Sequence, residues 1–303
     1  MRPTLAAGIH RLADPKITLA SAASLLVGTA AAARDGPLAW GWVVVCVAGI
    51  FALEVAKNAS GELVDYDSGA DQAVAPADRS PFSGGKRVLV DGLLSKRETA
   101  AVAAVAYSVG IAAGLAVVFA REPRVLWLGL AGVGLAWFYH SPPFRLSYRG
   151  LGELAVAAAY GPGIACGVYL TQRHAIGAEV LLASLPLGLL IAAFLWINEF
   201  PDYLADRASG KRTLVVRLGR PRASRVFAAM IGLAYAGALA LPGAGLPPAT
   251  LLALLGLAPG VAAARRLAAE PERTARIVPA QGWTLISFVL YAVGMAAGFL
   301  VGS

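Results

Sequence analysis

Residues 100–120 read AAVAAVAYSVGIAAGLAVVFA, a run without a single charged side chain. An α-helix rises about 1.5 Å per residue, so a helix of this length crosses a hydrocarbon core of roughly 30 Å. Its alanines and glycines suit helices that approach one another closely inside a bilayer. Outward from this stretch the pattern recurs. Apolar runs lie at 17–33, 38–56, 99–120, 125–140, 151–171, 179–199, 224–242, 247–264 and 281–301, with charges packed between them. The spacing predicts an all-α, polytopic bundle of nine transmembrane helices, forming one membrane domain over residues 1–303.

Composition agrees. Hydrophobic residues make up 58% of the chain and charged residues 15%, against about 25% charged in ordinary soluble domains. The net charge of +8 is not a nucleic-acid footprint, because the cations sit in short segments between apolar runs. Of the 26 Lys and Arg, 22 fall on one set of alternate segments and 4 on the other. The positive-inside rule then places the N-terminus and the long loops in the cytoplasm and the C-terminus outside. A multi-pass protein of a prokaryotic plasma membrane is expected, without a cleavable leader. Cys46 and Cys166 read as small buried hydrophobes. Lys16 reads as a topology charge, and His10, His140 and His174 form no ligand set.

Most carboxylates gather in or beside two segments on the proposed cytoplasmic side. The cleaner one is Asn198-Glu199-Phe-Pro-Asp202-Tyr-Leu-Ala-Asp206. On a helix, 199, 202 and 206 share one face. Three carboxylates on one face repel one another unless a cation neutralises them, and oxygen ligands of this kind suit Mg²⁺. Pro201 removes a backbone donor and is expected to loosen that turn. The other segment is Glu62-Leu-Val-Asp65-Tyr-Asp67-Ser-Gly69-Ala-Asp71. Glu62 and Asp65 share a face. Asp71 would point away from them on a straight helix, so the helix is expected to end near Ser68, with Gly69 letting Asp71 fold back.

Glycines and cations follow each acidic segment: Arg79-Ser-Pro-Phe-Ser-Gly84-Gly85-Lys86-Arg87 after the first, and Ser209-Gly210-Lys211-Arg212-Thr213 after the second. Such glycines let backbone approach a diphosphate, and paired cations supply charge-assisted hydrogen bonds. A cation-coupled transporter would also use intramembrane acids, but its acids belong near span centres, and these lie at span ends.

At these residues the chain resembles the UbiA superfamily of intramembrane prenyltransferases, whose signature is a pair of Asp-rich motifs, N-D-x-x-D-x-x-x-D, in a nine-helix bundle. The stretches Asp65-Tyr-Asp-Ser-Gly-Ala-Asp71, Gly84-Gly85-Lys86-Arg87 and Ser147-Tyr-Arg-Gly-Leu-Gly-Glu153 look most similar to its 1,4-dihydroxy-2-naphthoate polyprenyltransferases, the menaquinone branch. The pattern's Asn-Asp is replaced by Gly61-Glu62, and the first Asp of the second motif by Glu199.

The resemblance implies two Mg²⁺ ions held by Glu62, Asp65, Asp71, Glu199, Asp202 and Asp206. It gives Arg79, Lys86, Arg87, Arg145, Lys211, Arg212 and Asn198 to the diphosphate, and sets Tyr139 against the developing allylic cation, with Asp65 and Asp202 as catalytic metal ligands. The partners implied are a polyprenyl diphosphate, an aromatic acceptor and membrane lipid, with no nucleic acid. Transfer to a different phenolic or lipid acceptor is the alternative within the family.

Overall fold

The structure, a computed structural model, describes residues 3–302. Residues 1, 2 and 303, the chain ends whose sides the charge pattern assigns, lie outside the described residues. The long elements are α1 (Pro3–Ala13), α2 (Pro15–Arg34), α3 (Trp40–Asp67), α4 (Lys96–Ala120), α5 (Val125–Phe138), α6 (Gly152–Arg173), α7 (Ala178–Ala208), α8 (Arg220–Ala240), α9 (Pro248–Ala269) and α10 (Thr274–Val301). No strand occurs among the described residues.

Each expected span finds a helical segment, though the nine differ in length. Eight helices, α2–α4 and α6–α10, are long and apolar enough to cross a membrane. The expected fourth span, 125–140, is only the 14-residue α5, which is about 21 Å long. The exterior fits a lipid environment. Phe119, Trp127 and Leu154 are all more than two-thirds exposed, the reverse of a water-soluble surface.

Two boundaries matter for the site. The second and sixth spans were expected to end at 56 and 199, yet α3 continues to Asp67 and α7 to Ala208. Both acidic segments therefore begin on rigid helix. As expected, α3 is capped at Ser68, and Gly69 turns the chain at φ +78° into the short helix Ala70–Ala73. Pro201 does not break α7, which runs through it; the Arg220 guanidinium binds the carbonyl of Phe200 at 2.9 Å beside that weakened turn.

The core runs along α7 and α10. Leu187, Leu190, Ile197 and Phe200 of α7 pack with Phe288, Tyr291 and Phe299 of α10, all fully buried. In α6 a π-helical turn at Ala159–Gly163 contains Pro162. The carbonyl of Tyr160 in that turn accepts a bond from Ser24 of α2, so the irregular backbone is satisfied inside the protein. Here Gly161 lies against Gly188 of α7, where a Cβ would come within 2.7 Å of the Gly188 Cα.

Candidate active site

The acid-bearing ends of α3 and α7 face each other across a cavity of about 640 Å³. Glu62, Asp65 and Asp71 line it from one side and Asn198, Glu199, Asp202 and Asp206 from the other. Arg79, Lys86, Arg87, Tyr139 and Lys211 complete the set that sequence reasoning anticipated. Two anticipated residues do not line it. Arg145 stacks its guanidinium 4.3 Å from the centre of the Tyr148 ring. Arg212 is exposed, its backbone bonded to the Tyr148 carbonyl at 3.0 Å. Each points elsewhere because the 145–149 turn and the 211–214 loop clamp one another.

The loop between α3 and α4 forms the cavity's rim. Lys16 donates to the Pro81 carbonyl and lies over the Phe82 ring, so it is part of the site rather than only a topology charge. Lys86 pairs with Asp14. Burial works against ionisation of Asp14, but Lys86 and Lys16 hold its carboxyl below the usual range. From α10, Thr274 bonds Asp78 at 2.8 Å, and Gln281 donates to Asn198 at 3.0 Å and to Ser83 at 3.4 Å. Glu62 accepts from the Leu89 amide at 2.8 Å. Gly85 lies so close to Asp71 that any Cβ there would strike its carboxylate.

Asp65 is held by the Tyr148 hydroxyl at 2.7 Å and faces His140 Nδ1 at 3.6 Å. His140, expected to be structural or solvated, lines the cavity, and it accounts for Gly61. A Cβ at Gly61 would lie 2.7 Å from the His140 ring. The imidazole occupies the space that a larger side chain at 61 would need. Tyr148 and His140 were missed because only tertiary proximity links them to Asp65.

Electrostatics follow from crowding. Burial, then the charges of Asp65 and Glu62, push the Asp71 carboxyl up to about 8. Lys211 answers from the loop after α7. Its ammonium lies 3.4 Å from Asp206. Burial opposes that charge, but Asp206, Asp65 and Asp202 outweigh it and hold the lysine well above its usual range. Burial, then Asp65, also raises the Tyr148 phenol to about 12. Glu153, behind the cavity, accepts from the Leu214 amide at 2.8 Å and so holds the Lys211 loop.

The residues fit divalent cations. One oxygen each of Glu62, Asp71, Glu199, Asp202 and Asp206 is buried without a hydrogen-bond partner, a costly state for a carboxylate unless a cation joins it. The anticipated ligands are not preassembled: among the described residues no three His, Cys, Asp or Glu are grouped tightly enough to hold a metal ion. Lys211 supplies compensating charge to Asp206, Asp65 and Asp202.

Known proteins resemble the chain over most of its length. Residues 21–286 match the UbiA prenyltransferase family. The chain is 28% identical over 295 residues to the 1,4-dihydroxy-2-naphthoate octaprenyltransferase of Mycobacterium tuberculosis, covering 96% of each. It is 29% identical to the enzyme of that name in Escherichia coli, over 72% of this chain and 70% of that one. Among solved structures, the apo UbiA homologue from Aeropyrum pernix K1 has the same fold, with a TM-score of 0.70 at 18% identity, covering 92% of this chain and 96% of that one. The Archaeoglobus fulgidus homologue bound to GPP and Mg²⁺ superposes with a TM-score of 0.65 at 14% identity, covering 94% and 99%. The chain is an integral membrane prenyltransferase and belongs to the UbiA family.

Proposed function

We propose that this enzyme transfers a polyprenyl group from a prenyl diphosphate to 1,4-dihydroxy-2-naphthoate, with Mg²⁺ bound at the two acidic segments. The observation that carries the reading is the set of orphaned carboxylate oxygens facing one another across a single cavity, with Lys211 between them. The names of the relatives support the acceptor, and the Archaeoglobus fulgidus homologue, solved with GPP and Mg²⁺, supports the donor and the ion.

Glu62, Asp65, Asp71, Glu199, Asp202 and Asp206 are the proposed metal ligands. Bound Mg²⁺ would supply charge neutralisation to the leaving diphosphate. The rest of the chemistry belongs to the chain. Lys211 and the rim cations Arg79, Lys86 and Arg87 bind diphosphate oxygens, an attraction that strengthens as the allylic C–O bond breaks and its electron pair moves to oxygen. Arg145 and Arg212 stand outside the cavity lining. Tyr139 presents an aromatic face to the allylic carbon, and apolar residues such as Phe194 exclude water that would quench it. The acceptor ring then forms the new C–C bond. Attack at the carboxylate-bearing carbon ends in loss of CO₂, whose bonding pair restores the aromatic ring. A plasma-membrane setting with the site and N-terminus cytoplasmic and the C-terminus outside follows from the charge asymmetry.

Purified enzyme supplied with a prenyl diphosphate, 1,4-dihydroxy-2-naphthoate and Mg²⁺ is expected to give the prenylated, decarboxylated naphthalene by mass spectrometry and to stop when EDTA is added. Transfer that persists in Asp65→Ala and Asp202→Ala, or that needs no Mg²⁺, would overturn the assignment.

A further inference from the structure

Seven lysines and arginines line the cavity, and six of them already have polar partners. Arg11 pairs with Asp91, Lys86 with Asp14 and Lys211 with Asp206. Lys16, Arg79 and Arg87 donate to the carbonyls of Pro81, Val74 and Asp71. The seventh is Lys57. Among the described residues its ammonium makes no hydrogen bond and no ion pair, yet it lines the cavity and lies 5.6 Å from the centre of the Tyr139 ring. Glu54, one turn earlier on α3, is turned to Ser21 at 2.8 Å. Lys57 lies just past the expected span end at 56, yet α3 carries it within its helix.

Asp14 and Glu54 are the opposite charges acting on Lys57, but Asp14 is paired with Lys86 and neither bonds the ammonium. A cation at this depth with no direct ion pair is costly unless an anion joins it. Lys57 has a place on α3 that suits a second anion. It precedes Glu62 by five residues on α3, which is about 7.5 Å along the axis and away from the acidic ends. The proposed reaction joins two anionic substrates, and like charges held together would repel. A second cation, set back from the acidic ends and beside the aromatic face at Tyr139, solves that problem. We infer that Lys57 is the specificity residue for the acceptor and binds the carboxylate of an aromatic acid, placing the ring beside Tyr139. This inference rests on reading the acceptor as an aromatic acid.

Isothermal titration of the purified full-length protein tests it, with 1-hydroxy-2-naphthoate and 1-naphthol as probes. Lys57→Met is expected to weaken naphthoate binding at least tenfold, and Lys57→Arg to keep it within threefold. Binding of 1-naphthol, and of inorganic pyrophosphate with Mg²⁺, should be unchanged in both; the latter also reports that the variant is folded. Lys57→Gln serves the same comparison if Lys57→Met does not fold. Unchanged naphthoate binding, equal weakening of 1-naphthol, or loss of pyrophosphate binding instead would overturn the inference. Turnover separates it from the functional reading. Lys57-dependent naphthoate binding by an enzyme that prenylates no aromatic acid sinks the function and leaves the inference standing. Prenylation of 1,4-dihydroxy-2-naphthoate with the same acceptor KM in wild type and Lys57→Met does the reverse.

Discussion

Gly61 and His140 are far apart in the chain, and each explains the other. An imidazole fills the place where a side chain at 61 would sit. Gly61→Asn, which restores the common motif, should therefore destabilise the protein by about 1–3 kcal/mol through overpacking, seen as a lower melting temperature in detergent. Adding His140→Ala should recover most of that loss; no recovery would mean the two positions are independent. At Lys211, replacement by Met removes the only cation bonded to Asp206 among the described residues. A fall of about 10²–10³ in kcat is expected, with Mg²⁺ still bound. Asp71 sets a pH dependence. Its carboxyl, raised to about 8, is protonated below that pH and must lose the proton to take a cation. The Mg²⁺ concentration for half-maximal activity should then rise as pH falls from 8.5 to 6.5, and more weakly in Asp71→Asn.

At the scale of elements, the helices carry the acids and the loops supply Arg79, Lys86, Arg87 and Lys211. Spacing alone placed Glu199, Asp202 and Asp206 on one face and stopped α3 at Ser68, because helical periodicity and a glycine's left-handed turn are local properties. Arg145 and Arg212 fall outside the cavity lining because the turn at 145–149 and the loop at 211–214 hydrogen-bond to each other, which no local pattern records. Lys57 lies past the expected span end at 56 but inside α3, because hydropathy marks the end of a membrane span and not the end of its helix. Glu153 is the element-scale clamp, joining the start of α6 to the Lys211 loop. Glu153→Ala leaves the Leu214 amide unpaired, at a cost of about 1–3 kcal/mol. Hydrogen exchange at 211–214 should speed up while α7 stays protected; equal exchange in both proteins would deny the clamp.

For the whole molecule, the proposed orientation has a direct readout. In a Cys46→Ala, Cys166→Ala background, a cysteine at Glu272 should be shielded from an impermeant maleimide in intact cells, and one at Gly243 should be labelled. The reverse pattern would turn the protein over. One further consequence follows from α5. At about 21 Å it is shorter than the hydrocarbon layer around it, and it ends next to Tyr139 and His140 on the cavity wall. Lipid beside it must thin locally to match, at a strain of fractions of a kcal/mol per Å. The enzyme should then respond to acyl-chain length itself, turning over faster in vesicles of 14-carbon than of 22-carbon phosphatidylcholine, so that the solvent's thickness acts as a parameter of the catalyst.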